Sequence, residues 1–137
     1  MGTFLEEITL ENSTDRGDAN RGYISESQIR TLKVGAMPDT GAWTLVINEE
    51  VRQILGLTIT GESHSTLADG KTSNYPVTEA VKIQWKDRST ELPAIVVADA
   101  QDVLLGALPL EAMDLIVEPV RKVLTGAHGD QPVHVLN

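Results

Sequence analysis

Short apolar runs separated by turn-forming residues dominate the pattern of this chain. Val, Ile, Leu and Ala fill most apolar positions, and Gly, Asp, Asn and Pro interrupt them at short intervals. Runs of this length and composition are typical of β-strands. The pattern predicts eight strands, over residues 3–11, 28–36, 43–47, 57–60, 64–68, 72–85, 91–98 and 114–119.

Two short helices are predicted between these strands. Asn48 can cap the first helix, two glutamates favour its N-terminal end, and Gly56 can end it. The second helix is predicted over residues 108–113, where Leu110 and Met113 have helical spacing. The apolar face of the first helix is predicted to consist of Val51, Ile54 and Leu55.

Polar stretches are predicted to be loops and turns. Residues 12–22 combine Asn, Ser, Asp and Gly, which favours an exposed loop. A hairpin turn is expected near Gly61, another exposed turn at residues 86–89, and a tail after Gly126. A strand, a glycine-containing loop and a short helix then occur twice along the chain, as in a duplicated β domain.

Composition limits the class of protein. The 137 residues are 41% hydrophobic, which is enough for one compact domain that needs no disulfides or metal to stabilise its core. The chain has no cysteine, which excludes disulfides and thiol catalysis. No run is long enough to span a bilayer and the start lacks a signal-peptide pattern, so we expect a cytoplasmic protein that does not bind membranes. A net charge of -9 disfavours nucleic acid as a partner.

The tetrapeptide Asp39-Thr40-Gly41-Ala42 is the main candidate for chemistry. It places a carboxylate on a tight turn between two extended runs. One carboxylate is a poor catalyst at neutral pH, whereas two facing carboxylates can share a proton and activate a water molecule. An ordinary turn aspartate is the alternative. The histidines His64, His128 and His134 lack the spacing of a metallopeptidase, and we expect them on the surface with no metal site.

With its surroundings, the tetrapeptide resembles the active-site signature of retroviral-type (retropepsin-like) aspartic proteases, particularly the small bacterial members of that group. The resemblance covers most of residues 28–124. A second landmark is matched by Val103-Leu104-Leu105-Gly106 followed by Leu110-Glu111, and residues 115–119 resemble the closing strand. The resemblance implies a mainly β, retropepsin-like acid protease fold, a closed β barrel with one or two short helices, in a single domain over residues 1–137.

The same resemblance implies roles for individual residues. Asp39 would be the catalytic carboxylate, and Thr40 would bond across to the other subunit's loop, since the family is homodimeric. Gly41 and Ala42 would shape the turn. Gly106, with Leu104 and Leu105 in the second loop, and Gly41 would allow two backbones to cross closely. The implied protein is a homodimeric aspartic endopeptidase that cleaves peptides or proteins without a metal or an organic cofactor.

A flap over the substrate is also implied by the resemblance. The segment Ala68-Asp69-Gly70-Lys71 lies between two predicted strands, and Asp-Gly is a strong hairpin signal. A plain surface hairpin explains the local sequence equally well.

Two residues depart from the family pattern. Pro38 precedes the signature where an aliphatic residue is usual, and Trp43 follows it where a small polar residue is common. Proline removes a backbone donor, and the indole would either fill the groove or pack in the core. The alternative function is therefore a catalytically inactive, protease-like module for peptide binding or dimerisation. A hairpin-rich structural domain with an accidental Asp-Thr-Gly is a third reading.

Overall fold

The computed structural model describes residues 4–66, 70, 72–118 and 120–128, and within them the chain is mainly β. Strands occupy about half of these residues, and the three α-helices are short. The elements are β1 (Glu6–Asn12), α1 (Ser13–Asn20), β2 (Thr31–Pro38), β3 (Leu45–Ile47), α2 (Glu49–Leu55), β4 (Ile59–Thr66), β5 (Thr72–Trp85), β6 (Arg88–Val96), β7 (Val103–Leu105), α3 (Ala107–Ala112), β8 (Leu115–Glu118) and β9 (Val123–Gly126). A 3-10 turn over Glu26–Gln28 precedes β2.

Six strands close into a barrel in the order β1-β2-β7-β3-β6-β5, because β5 also pairs with β1. Most neighbours are antiparallel, but β2 pairs with β7 and β3 pairs with β6 in parallel. Closure removes exposed strand edges from the barrel itself. The predicted closed β barrel is confirmed.

An antiparallel hairpin of β4 and β5 extends from the barrel. Its register runs from Ile59 opposite Thr78 to Thr66 opposite Thr72. The two strands predicted over residues 57–60 and 64–68 are one strand, and the turn predicted near Gly61 is wrong. An irregularity in the register between Ile59 and Gly61 absorbs the glycine while the ladder continues.

The core fills the barrel with aliphatic side chains from nearly every strand. Among its fully buried members are Ile8, Leu10, Leu45, Ile47, Leu55, Leu57, Ile83, Leu105 and Met113. The two predicted helices at residues 48–56 and 108–113 form as α2 and α3. Val51 and Leu55 of α2 enter the core as predicted, whereas Ile54 is 44% exposed and lies outside the packed face.

Helix α1 replaces the exposed loop predicted over residues 12–22. Asn12 is fully buried, and its side-chain oxygen accepts a hydrogen bond from Asp15 N at 3.0 Å, which caps the helix. The Asn12 amide donates to Leu55 O at 2.9 Å and so ties α1 to the end of α2. This helix is stabilised by a buried cap and by ion pairs, not by an apolar face. The sequence therefore shows no hydrophobic residues at helical spacing there.

Other differences from the sequence prediction concern short elements. Strands β7 and β9 contain three and four residues, too few for a clear pattern. The turn expected at residues 86–89 is a two-residue loop, since Trp85 already pairs with Arg88. Arg88 is 5% exposed, and its Nη1 donates to Met113 O and Asp114 O.

No helix in the part of the chain that the structure describes is long and apolar enough to cross a membrane.

Candidate active site

The signature loop forms a hydrogen-bonded turn at the end of β2. Ala42 N donates to Asp39 O at 3.1 Å, which closes the turn. Gly41 N donates to Asp39 Oδ1 at 2.8 Å, so the loop's own backbone orients the carboxylate. Asp39 N in turn donates to Leu105 O at 3.0 Å. The loop therefore presents Asp39 in a fixed orientation, anchored to β7.

The second loop, after β7, packs directly against the first. A β-carbon at Gly106 would lie 2.3 Å from Thr44 O and 2.7 Å from Ala42 O. These are backbone atoms, so only glycine fits there without a backbone shift. Leu105 is fully buried and Leu104 is half-buried. The close backbone approach predicted at Gly106 is present.

Gly41 shapes the turn, whereas the close backbone crossing predicted for it does not occur within the described part of the chain. Within the chain, a β-carbon on this residue would lie 3.0 Å from Asp39 Oδ1 rather than against a crossing backbone. Glycine here lets the carboxylate sit over its amide. Ala42 is buried and Thr40 is exposed beside Asp39.

Helix α3 continues the connection between the two loops. Ala107 N donates to Ala42 O and Leu108 N donates to Trp43 O, both at 2.8 Å. The first turn of α3 therefore donates to both carbonyls that follow Gly41. The sequence predicted the two landmarks separately, and the structure brings them together at one place.

An open cavity of about 680 Å³ adjoins the signature loop. Asp39 and Thr40 line one side of it, and side chains of α3 and β8 line the other. Its walls are largely apolar. The acidic residues that line it are Asp39, Glu111 and Asp114. The cavity is large enough for side chains of a ligand or of another protein chain.

Asp114 also lines this cavity, and it was not predicted from the sequence. It is 8% exposed and adopts a left-handed φ of 56° between α3 and β8. His128 Nδ1 lies 2.8 Å from each of its carboxylate oxygens, and Ala127 N donates to its carbonyl. The His128 side chain is 58% exposed, in line with its predicted surface position. Nothing in the local pattern links two residues fourteen positions apart.

The comparisons with known proteins agree with this geometry. A family model described as "Aspartyl protease" matches residues 25–107, more than half of the chain and including both loops. The chain belongs to the aspartyl protease family. No curated protein matches it.

A solved structure extends the likeness to the fold of this aspartyl protease family member. The crystal structure of a retropepsin-like aspartic protease from Rickettsia conorii superimposes with a TM-score of 0.50. The match covers 90% of this chain and 91% of that chain at 18% identity. At this identity the likeness concerns the fold alone, and it confirms the retropepsin-like architecture expected from the sequence.

Pro38 leaves the aspartyl protease loop intact. It pairs with Leu105 in the parallel ladder, and the adjacent Asp39 N–H supplies the hydrogen bond to that strand. The backbone N–H that Pro38 lacks is therefore not needed for the pairing of β2 with β7.

Trp43 neither packs in the core nor lines the cavity. Its side chain is 49% exposed, between the buried residues Ala42 and Thr44. The prediction that the indole packs in the core is therefore wrong, because the burial of both neighbouring side chains turns it outward.

The predicted flap segment lies largely outside the described residues. Ala68, Asp69 and Lys71 belong to the undescribed part, and Gly70 is exposed with a φ of 83°. The arms on either side form the β4–β5 hairpin, in which His64 Nδ1 contacts Asn74 Oδ1 at 2.8 Å. The hairpin itself is thus present where the sequence placed it.

Lowered carboxyl pKa values occur away from the cavity lining. Hydrogen bonds from Arg16 lower the pKa of Glu11, those from Arg30 lower the pKa of Asp15, and both carboxylates are mostly buried. These pairs join β1, α1 and the start of β2. Among the described residues, no group of three acidic or histidine side chains is arranged to hold a metal ion.

Proposed function

We propose that this chain is a homodimeric aspartic endopeptidase, with one active site built from two copies of Asp39. The observation that carries the proposal is the fixed Asp39 carboxylate. Its Oδ1 is held by Gly41 N, its backbone is held by Leu105, and it borders an open cavity. Membership of the aspartyl protease family supports the same chemistry.

The need for a second chain follows from the carboxylate count. One chain contains a single Asp-Thr-Gly turn, whereas a water molecule is best activated between two carboxyl groups that share a proton. Thr40 is exposed next to Asp39, so a second chain related by a two-fold axis can contact it. Ile116 of β8, 47% exposed, extends this face with an apolar side chain.

The proposed reaction uses the two carboxyl groups as a coupled pair. The ionised Asp39 takes a proton from water as the oxygen attacks the scissile carbonyl carbon, and the protonated Asp39 of the second chain gives its proton to the carbonyl oxygen. The tetrahedral intermediate then breaks its C–N bond: the nitrogen receives the proton held by the first Asp39, and a hydroxyl of the intermediate returns a proton to the second, which restores the pair. Because the reaction needs one ionised and one protonated carboxyl group, we expect activity in the mildly acidic range.

In this proposal the β4–β5 hairpin acts as the flap. Strand β4 is at the edge of the sheet, and an extended peptide can be held by backbone hydrogen bonds to such a hairpin. The segment Ala68-Asp69-Gly70-Lys71 would then contact the substrate. No metal or organic cofactor takes part.

Replacing one carboxylate tests the proposal. We expect wild-type protein to cleave a pool of unstructured peptides between pH 4 and 7, and Asp39→Asn to lose at least about 1,000-fold in kcat/KM because neither subunit keeps an ionisable group at the site. Asp102→Asn, which removes an exposed loop carboxylate, is the matched control and should keep full activity. Mass spectrometry of the products measures the rates.

Equal cleavage by Asp39→Asn and wild type would overturn the assignment. Sedimentation at increasing concentration checks the assembly, and a strict monomer would exclude a shared pair. A dimer that binds peptides without cleaving them would instead indicate the inactive peptide-binding or dimerisation module.

A further inference from the structure

Trp43 is the feature near the site that the proposed reaction leaves unexplained. Large apolar side chains are costly to expose beside a loop, yet the indole is 49% exposed, and Leu108 on α3 is 41% exposed. The two residues are adjacent in space, since Leu108 N donates to Trp43 O at 2.8 Å. Two exposed apolar side chains therefore arise from neighbouring backbone positions next to the signature loop.

The backbone that carries the indole is fixed on both sides. Ala42 O accepts from Ala107 N at 2.8 Å, and Thr44 is buried, with its Oγ1 donating to Pro93 O at 3.1 Å. Gly106 packs against the same carbonyls. A side chain on such a support loses little conformational freedom when it binds a ligand, which favours tight and selective contact.

The distance from Asp39 sets which part of a peptide could reach the indole. The turn from Asp39 to Ala42 keeps their α-carbons within about 7 Å, and one further residue adds about 3.8 Å. The α-carbon of Trp43 therefore lies within roughly 11 Å of that of Asp39. An extended peptide advances about 3.3 Å per residue, so this span corresponds to two or three residues.

We propose that Trp43, with Leu108 beside it, is a specificity-determining residue that contacts a large apolar side chain of an extended peptide substrate, two or three residues from the cleaved bond. The inference rests on the proposed peptidase function. Tryptophan offers a wide, rigid apolar face, so we expect selectivity for large aliphatic and aromatic side chains.

Cleavage profiling tests this contact. All variants carry Trp85→Phe, which removes the only other tryptophan and leaves Trp43 as the sole indole. A random octapeptide library is digested at the pH of best activity, and the products are sequenced by mass spectrometry. We expect large apolar residues to be enriched at one position two or three residues from the cleaved bond, and at least a fivefold drop of that enrichment in Trp43→Ala.

Kinetics separate substrate contact from a structural effect. For the best library peptide, Trp43→Ala should raise KM about tenfold with little change in kcat, and Trp43→Phe should restore most of the loss. Ile54→Ala, which removes an equally exposed apolar side chain from α2, should behave as wild type. An unchanged cleavage profile in Trp43→Ala would overturn the proposal, as would weakened dimerisation at unchanged KM, which would assign the surface to a second copy of the chain.

A second readout does not depend on cleavage. The emission of Trp43 is followed while a hexapeptide of leucine and alanine with a central hydroxyethylene group is added to the Trp85→Phe protein. A blue shift that saturates supports the contact, and no shift with a peptide that binds by calorimetry overturns it. If wild-type protein cleaves no library peptide, the peptidase function fails, and this titration still decides whether Trp43 contacts a peptide.

Discussion

Gly106 holds the two loops of the candidate active site together at the scale of a single residue. Its missing side chain lets Ala42 O and Thr44 O approach the second loop, and this contact positions α3 against the signature turn. Asp39 depends on the same arrangement, because its amide bonds to the residue just before Gly106. A backbone shift at Gly106 would therefore also displace the Asp39 carboxylate.

We expect Gly106→Ala to destabilise the protein by about 3 kcal/mol, since its β-carbon would meet backbone oxygens that cannot rotate away. Urea unfolding followed by circular dichroism gives the free energy. Gly61→Ala is the matched control: a β-carbon there meets nothing within 4 Å, and the change should stay within about 1 kcal/mol. Equal stability of the two variants would contradict the packing described for Gly106.

Residue-level prediction from the sequence succeeded where a backbone constraint requires one residue type. The signature turn and Gly106 could be recognised because their residue types are tied to a turn and to a close approach. Asp114 and His128 could not, because their contact depends on the pairing of β9 with β8, which no local pattern records. Trp43 was noticed, but its outward orientation follows from the burial of both neighbours.

At the scale of elements, helix α1 shows how polar side chains can specify structure without a hydrophobic period. Asn12 caps it, Asp15 pairs with Arg30 at 2.8 Å, and Arg16 pairs with Glu11 and Glu26 at 2.9 Å. By contrast, α2 was predictable because its cap, its acidic first turn and its terminal Gly56 are all local signals. Strand β7 was not predicted from the sequence, because three residues are too few to show a strand pattern.

Asn12→Ala should destabilise the protein by about 2 kcal/mol. The change removes the cap of α1 and leaves Leu55 O with one hydrogen bond fewer in a buried setting. Thermal unfolding measures the effect. Asn20→Ala, at the exposed other end of the same helix, should change stability by less than about 0.5 kcal/mol. An equal effect of the two substitutions would mean that Asn12 does not link α1 to α2.

At the scale of the whole molecule, barrel closure lies beyond what local patterns predict. The sequence indicated strands and a fold class through the resemblance, but closure requires β1 to pair with β5, which joins Thr9 to Gln84, far along the chain. The packing of β1, α1 and the residues just before β2 also brings acidic residues next to arginines. Although the chain carries a net charge of -9, several of its carboxylates are therefore stabilised as anions.

Acid should destabilise the fold through these carboxylates. Hydrogen bonds from Arg30 lower the pKa of Asp15, and hydrogen bonds from Arg16 lower the pKa of Glu11. A lowered folded-state pKa adds stability that is complete above the unfolded value, near 4, and is lost as pH falls through the folded value. We expect unfolding free energy to be steady from pH 7 to 5 and to fall below about pH 4.

In Asp15→Asn the drop in unfolding free energy between pH 7 and acid should be smaller than in wild type by about 1 kcal/mol. The difference is modest because the Arg30 side chain is half exposed and water screens the pair. Urea midpoints between pH 2.5 and 7 give the comparison. Asp18→Asn takes a carboxylate from the same helix without touching the Asp15–Arg30 pair and should retain the wild-type slope. Parallel curves for Asp15→Asn and wild type would show that the pair contributes no pH dependence.

Strand β5 belongs to two parts of the molecule at once. Its residues 80–85 pair with β6, and residues 81–84 also pair with β1, whereas within the described ladders residues 72–76 pair with β4 alone. A register irregularity between Val77 and Ala80 separates the two portions. The two portions of this strand therefore differ in the free energy needed to open them. Residues 72–76 can separate from β4 at a small fraction of the free energy of global unfolding, while the barrel remains cooperatively folded.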